Sequence, residues 1–166
     1  LRDEKIREQI GVFQDELLTI PGVISASGSS SLPNNISSST NARWPGKDKE
    51  LRIPIYTGSV GYDFFDVFEM EFIQGGAFQR DKESDKIGVV LNEAAIDAFG
   101  WDDPIGKPYI SSNTSDTGRV VGVVKNFNQH SLHLGVAPVQ LFLNESQRRI
   151  SIKMAGSDLK STLSEI

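Results

Sequence analysis

Ile6, Ile10, Phe13 and Leu17 recur at the start of the chain with the spacing of one helix face, and charged Arg2 to Lys5, Arg7 and Glu8 surround the first of them. That pattern predicts an amphipathic helix, ended by Pro21-Gly22. Val23 to Ala26 reads as a strand, and the Ser- and Asn-rich residues 27–41 read as a loop. Leu51, Ile53 and Ile55 alternate as a strand, which Pro54 confines to an edge or a bulge. Phe64, Phe65 and Phe68 share one face of a short helix, a spacing that predicts a core cluster. Glu69 to Ile73 then runs toward a turn at Gly75-Gly76.

Ile87 to Leu91 is a short apolar run and predicts a buried strand. Asn92 is placed to cap a helix that reaches Phe99 and closes at Gly100. Asp103-Pro104-Ile105-Gly106 is a turn, and residues 111–118 form a polar hairpin loop. Val120 to Val124 and Val139 to Leu143 are apolar strands, the second entered through Pro138. Ile150, Ile152 and Met154 alternate as a last strand. Gly156-Ser157-Asp158 offers a cap for a closing helix with Leu159, Leu163 and Ile166 on one face. Short helices mixed with non-alternating strands predict an α+β fold. No cap precedes Leu1 and the closing helix ends on Ile166 with no stop signal, the pattern expected of a segment cut from a longer protein.

A length of 166 residues suits one compact domain or two small lobes. Acidic residues outnumber basic ones 22 to 17, giving a net charge of −5, and the basic residues are scattered. A nucleic-acid partner is therefore not expected, since phosphate binding needs a basic face. The absence of cysteine removes disulfides, thiolate chemistry and Cys-based zinc sites. No apolar run is long enough for a membrane helix, and no signal-peptide pattern is present.

Candidate chemistry is sparse. His130 and His133 have a spacing that suits metal ligands on one helix face, but no third ligand is marked. The carboxylate pairs Asp102-Asp103 and Glu83/Asp85 read as solvated charges rather than as an acid and a base in distinct environments. No Gly-x-Ser-x-Gly elbow occurs, and Gly75-Gly76 lacks the Lys-Ser or Lys-Thr of a phosphate loop. Sequons at Asn35, Asn113 and Asn144 lie in Asn- and Ser-rich stretches, where such matches arise by chance. The expectation is a protein that is not an enzyme, with no catalytic, cofactor-binding or metal-binding residues and no cofactor.

Two phrases carry a resemblance. The first is Val90-Leu91-Asn92-Glu93-Ala94-Ala95, followed by Phe99-Gly100-Trp101 and Asp103-Pro104-Ile105-Gly106-Lys107. The second is Val121-Gly122-Val123-Val124-Lys125-Asn126-Phe127, followed by Ser131-Leu132-His133 and Pro138. With Gly75-Gly76-Ala77-Phe78 upstream and Ile150-Ser151-Ile152-Lys153 downstream, the chain resembles the extracytoplasmic core domain of MacB/FtsX-like ABC transporter permeases. It departs from that family's usual motifs where Gly76 stands for an arginine, and where Asn126 and Asn128 stand in the strand motif.

The resemblance implies a two-lobed α+β domain. A porter-like lobe of βαβ type is expected from residues 1–33 and 117–166, with a mixed α/β lobe inserted at 34–116. It implies a periplasmic location on a cytoplasmic-membrane protein, between its first and second transmembrane helices. The partners implied are those flanking helices, a cytoplasmic ATPase subunit or domain, a periplasmic adaptor protein and a second copy in a homodimer. The mechanism implied is mechanical, carrying ATP-driven motion outward, and Ser27–Ser31 with Thr117–Gly118 are the expected joint between lobes. The competing reading is a soluble periplasmic module that binds a small molecule or peptide through the aromatic cluster and the Ser/Asn loop.

Overall fold

The computed structural model describes residues 4–48, 50–110, 116–129, 135–145, 147, 149–156 and 162–163, and the side chains from residue 11 onward. The chain opens with helix α1 (Glu4–Thr19). Leu17 is buried and Gln14 Nε2 donates to the Ala26 carbonyl at 3.1 Å, so the end of the helix grips the strand that follows. Phe13 does not share that burial; it is 44% exposed, and Val12 and Leu18 are exposed as well. The stripe read from the sequence is thus buried at Leu17 but not one turn earlier, because the contact with the strand is made by the last turns.

Strand β1 (Val23–Ser29) is followed by β2 (Ser39–Asn41), β3 (Pro54–Val60), helix α2 (Phe64–Val67) and β4 (Phe72–Gly75). Then come β5 (Val89–Asn92), helix α3 (Glu93–Phe99), β6 (Pro108–Ile110), β7 (Thr117–Val124), β8 (Val139–Leu143) and β9 (Arg149–Met154). Among the described residues these strands form one mixed sheet in the order β4-β7-β5-β8-β3-β1-β9, with β2 on β3 and β6 on β7. The β5–β7 and β3–β8 pairs are parallel and the others antiparallel. Strands from residues 34–116 therefore interleave with strands from residues 117–166.

Both faces of the sheet centre are covered, which is why its strands read as continuous apolar runs. Val90, Val124, Val139 and Leu141 face a cluster with Phe64, Phe65 and Phe78. Val89, Leu91, Val123 and Phe142 face a second cluster with Ala95, Ile55 and Tyr109. The backbones approach too closely for a side chain at two glycines of β7. A Cβ on Gly118 would stand 1.6 Å from the Ile87 carbonyl oxygen, and one on Gly122 would stand 2.3 Å from that of Gly76.

Several expectations need correction. The first strand runs on to Ser29, with Ser27 and Ser29 fully buried, and the stretch read as loop also holds a 3-10 turn (Pro33–Asn35) and β2. Ser25, Ser27 and Ser29 are strand residues because they pair in register with Lys153, Ser151 and Arg149 of β9. Pro54 begins a strand that lies inside the sheet, where the first position needs no ladder N–H. Ile87 belongs to a 3-10 turn (Glu83–Ile87) and is exposed. Of the expected joint, Ser27–Ser31 with Thr117–Gly118, the residues Ser27–Ser29 lie within β1 and Thr117–Gly118 within β7. Residues 111–115 and most of the closing helix fall outside the described residues.

Candidate functional site

The two phrases meet in space at Asn92, which ends β5 and caps α3. Its Oδ1 accepts the Ala95 N–H at 3.1 Å and the Val139 N–H, at the start of β8, at 2.8 Å. Its Nδ2 donates to the Ala137 carbonyl at 2.9 Å and to Asn126 Oδ1 at 3.1 Å. An asparagine side chain has two donors and two acceptor sites, and this buried one uses all four. Asn126 Oδ1 also accepts the Ala94 N–H at 2.9 Å, and Asn126 N–H donates to Glu93 Oε2 at 2.7 Å. Three consecutive residues of the first phrase thus hold one residue of the second. The network fixes the connection between β7 and β8 to the head of α3. It contains amides and one carboxylate already engaged, and it presents no nucleophile with an adjacent base.

Beside Asn126 opens a cleft of about 330 Å³, with Pro33, Phe68, Met70 and Phe127 as its apolar wall. Two ion pairs border it, Glu71–Lys125 at 2.7 Å and Glu69–Lys153 at 2.6 Å. Lys153 donates to Glu69 and holds its carboxyl below the ordinary value. Glu69 has φ of 51°, a left-handed conformation rarely taken by a residue with a side chain. It stands just past α2, where the Met70 N–H donates to the Phe65 carbonyl at 2.8 Å and turns the chain out of the helix. The cleft is at the small end of the range for ligand sites. Its charged rim groups are paired with each other.

The aromatic cluster read from the sequence is core. Phe64 and Phe65 are buried and meet edge to face at 5.8 Å, and Phe68 lines the cleft. Asp85 is buried as a clamp: it accepts the Gln79 N–H at 3.0 Å and pairs with Lys82 at 3.1 Å. Glu83 pairs with Lys86 at the surface. Asp102 and Asp103 are exposed in the turn after α3. His130 and His133 lie outside the described residues. Among the described residues no group of three His, Cys, Asp or Glu could hold a metal. No described helix is long and apolar enough to cross a membrane.

Sequence reasoning missed the buried Tyr109–Gln140 pair, in which the phenol donates to Gln140 Oε1. Burial pushes the Tyr109 hydroxyl well above the ordinary phenol value. The signal was present: Gln140 is a lone polar residue inside an apolar strand, and such a residue needs a buried partner.

The model of the MacB-like periplasmic core domain family matches residues 3–165. No curated protein matches the sequence. Among solved structures, the periplasmic region of MacB from Actinobacillus actinomycetemcomitans aligns with a TM-score of 0.57 at 23% identity, over 92% of this chain and 67% of that one. The extracellular domain of the ABC-type transporter YknZ from Gram-positive bacteria gives 0.62 at 18%, over 93% and 76%. A permease-protein domain from Porphyromonas gingivalis gives 0.61 at 16%, over 93% and 72%. At these identities the structures share a fold with this chain.

Proposed function

The chain belongs to the MacB-like periplasmic core domain family, the periplasmic or extracellular domain of an ABC transporter permease, and we propose that it carries ATP-driven motion from the membrane to a partner or cargo outside it. The observation that supports this is a clasp between the residues that follow α1 and the segment that follows β9. Thr162 Oγ1 donates to the Pro21 carbonyl at 3.1 Å, and the Ala155 N–H donates to the Gly22 carbonyl at 2.8 Å. A pull on α1 and a pull on the terminal segment therefore reach the sheet at one place, through β1 and its partner β9. That is what a domain held between two membrane spans requires.

In this reading the flanking spans belong to the cytoplasmic membrane, ATP is hydrolysed by a cytoplasmic ATPase subunit or domain of the same transporter, and the domain itself is not an enzyme. Two copies work together, and an adaptor protein outside the membrane is a further partner. Asn92 and its network keep the sheet and α3 moving as one body, so displacement is passed on rather than absorbed.

Location is tested in the intact permease. The segment has no cysteine, so Asp102→Cys introduces one exposed thiol. A membrane-impermeant maleimide should label it in cells whose cytoplasmic membrane is intact. Labelling that begins only after that membrane is broken would contradict the proposal.

A further inference from the structure

The only two tryptophans of the chain come together at one surface. Trp44, in the segment between β2 and β3, meets Trp101, just past α3, with ring centroids 5.1 Å apart. Both meet Phe99, the last residue of α3, at 4.8 and 5.1 Å. All three rings are partly buried and back onto the core cluster that contains Tyr109. A lysine stands over each indole: Lys47 Nζ is 5.5 Å from the Trp44 ring and Lys107 Nζ is 5.6 Å from the Trp101 ring.

These two lysines differ from the rest. Among lysines whose side chains are described, Lys82, Lys86, Lys125 and Lys153 each pair with a carboxylate. Lys47 and Lys107 do not. Lys47 Nζ donates to the carbonyls of Asp48 and Leu51. Nearby carboxylates are otherwise placed: Asp48 accepts the Glu50 N–H at 2.9 Å, and exposed Asp102 and Asp103 pair with neither lysine.

We propose that Trp44, Phe99, Trp101, Lys47 and Lys107 form a docking surface for an acidic stretch of a partner polypeptide that also carries an apolar side chain. The proposal deepens the partner-contact part of the function above and rests on it. Lys107 over its ring keeps its donors free for a carboxylate, and Lys47, which donates to two carbonyls, keeps one. Tryptophan offers large, stiff contact area at low entropic cost, which is why it recurs where binding energy concentrates. A chain of net charge −5 repels acidic partners generally. Two cations over the indoles, neither of them ion-paired, therefore select where, and in what orientation, such a partner lands.

The tryptophans themselves report the test, since both lie in the surface. The chain is titrated with a short Glu/Phe peptide while indole emission is recorded, with a Lys/Phe peptide as the control. A saturable change with the acidic peptide is expected, weakened roughly tenfold or more in Lys47→Glu/Lys107→Glu and by added salt. It should be partly retained in Lys47→Gln/Lys107→Gln and unchanged in Lys125→Glu. Three outcomes overturn the proposal: no saturable change, an equal response to the Lys/Phe peptide, or full binding by Lys47→Glu/Lys107→Glu. Each of these leaves the maleimide result untouched, so failure of the surface is distinct from failure of the permease reading.

Discussion

Asn92 and Asn126, 34 residues apart in sequence, are joined by a 3.1 Å hydrogen bond between their side-chain amides. Asn92→Ala removes a helix cap and leaves the Val139 N–H without its acceptor, at a combined cost of about 3 kcal/mol. Asn126→Ala, at an exposed position, should cost about 1 kcal/mol. Urea denaturation of both variants gives the comparison. An Asn92→Ala variant as stable as wild type would remove the network from the account.

Glycines at close approaches and glycines in the open should behave oppositely. Gly118→Ala places a methyl against the Ile87 carbonyl and should cost more than about 3 kcal/mol or prevent folding. Gly11, in the exposed face of α1, has nothing within 4 Å of its Cβ position. Gly11→Ala should stabilise by up to about 1 kcal/mol. Thermal unfolding of the two variants side by side checks the pair.

Glu69 combines a left-handed backbone with an ion pair, and pH separates the two. Its carboxyl is held below 4.5 by Lys153, so the pair contributes above that value and is lost as pH falls through the depressed one. Glu69→Gly relieves the backbone at every pH but forfeits the pair only where Glu69 is ionised. Relative to wild type, the Gly variant should therefore be more stable well below pH 4.5 than well above it. A stability difference with no dependence on pH would assign Lys153 no role.

The Tyr109 hydroxyl and Gln140 are both buried, so Tyr109→Phe leaves an amide oxygen without its donor. The expected cost is about 1–3 kcal/mol. Gln140→Met should recover part of that cost when added to Tyr109→Phe, because both polar groups are then gone. A double-mutant cycle with no coupling would show the hydrogen bond contributes nothing.

The joint in the sheet is narrow. β1 meets β3 through the single register pair Ser29 and Val60, with Ser30 N–H to the Ser59 carbonyl and Gly61 N–H to the Gly28 carbonyl beside it, each at 2.8 Å. Hydrogen exchange should reach Ser30 and Gly61 before Val90 and Leu91 in β5. Equal protection across these amides would mean the sheet opens only as a whole.

What the sequence revealed follows from how local each cause is. The α3 cap at Asn92 and its closing Gly100 were legible because both act within one helix, as was the aromatic core of α2. The family was legible from its two phrases, which the fold brings together at Asn92 and Asn126. The strand through Ser27–Ser29 was not, since serine favours loops by composition and only neighbouring backbone makes it a strand here. Pro54 misled for the same reason: its effect depends on its position in a ladder set by distant strands. The Trp44–Trp101 surface joins residues with no periodic relation, so only the fold brings them together.

The central claim is that nucleotide hydrolysis on the cytoplasmic side moves this domain. It is tested most directly in the reconstituted permease with its ATPase, spin-labelled at Asp102→Cys. Distances between the two copies are measured without nucleotide, with ATP trapped and after hydrolysis. The distance distribution should shift between these states and, when ATP hydrolysis is disabled by mutation, should stop at the ATP-trapped distribution. One unchanging distribution in every nucleotide state of an active transporter would contradict it.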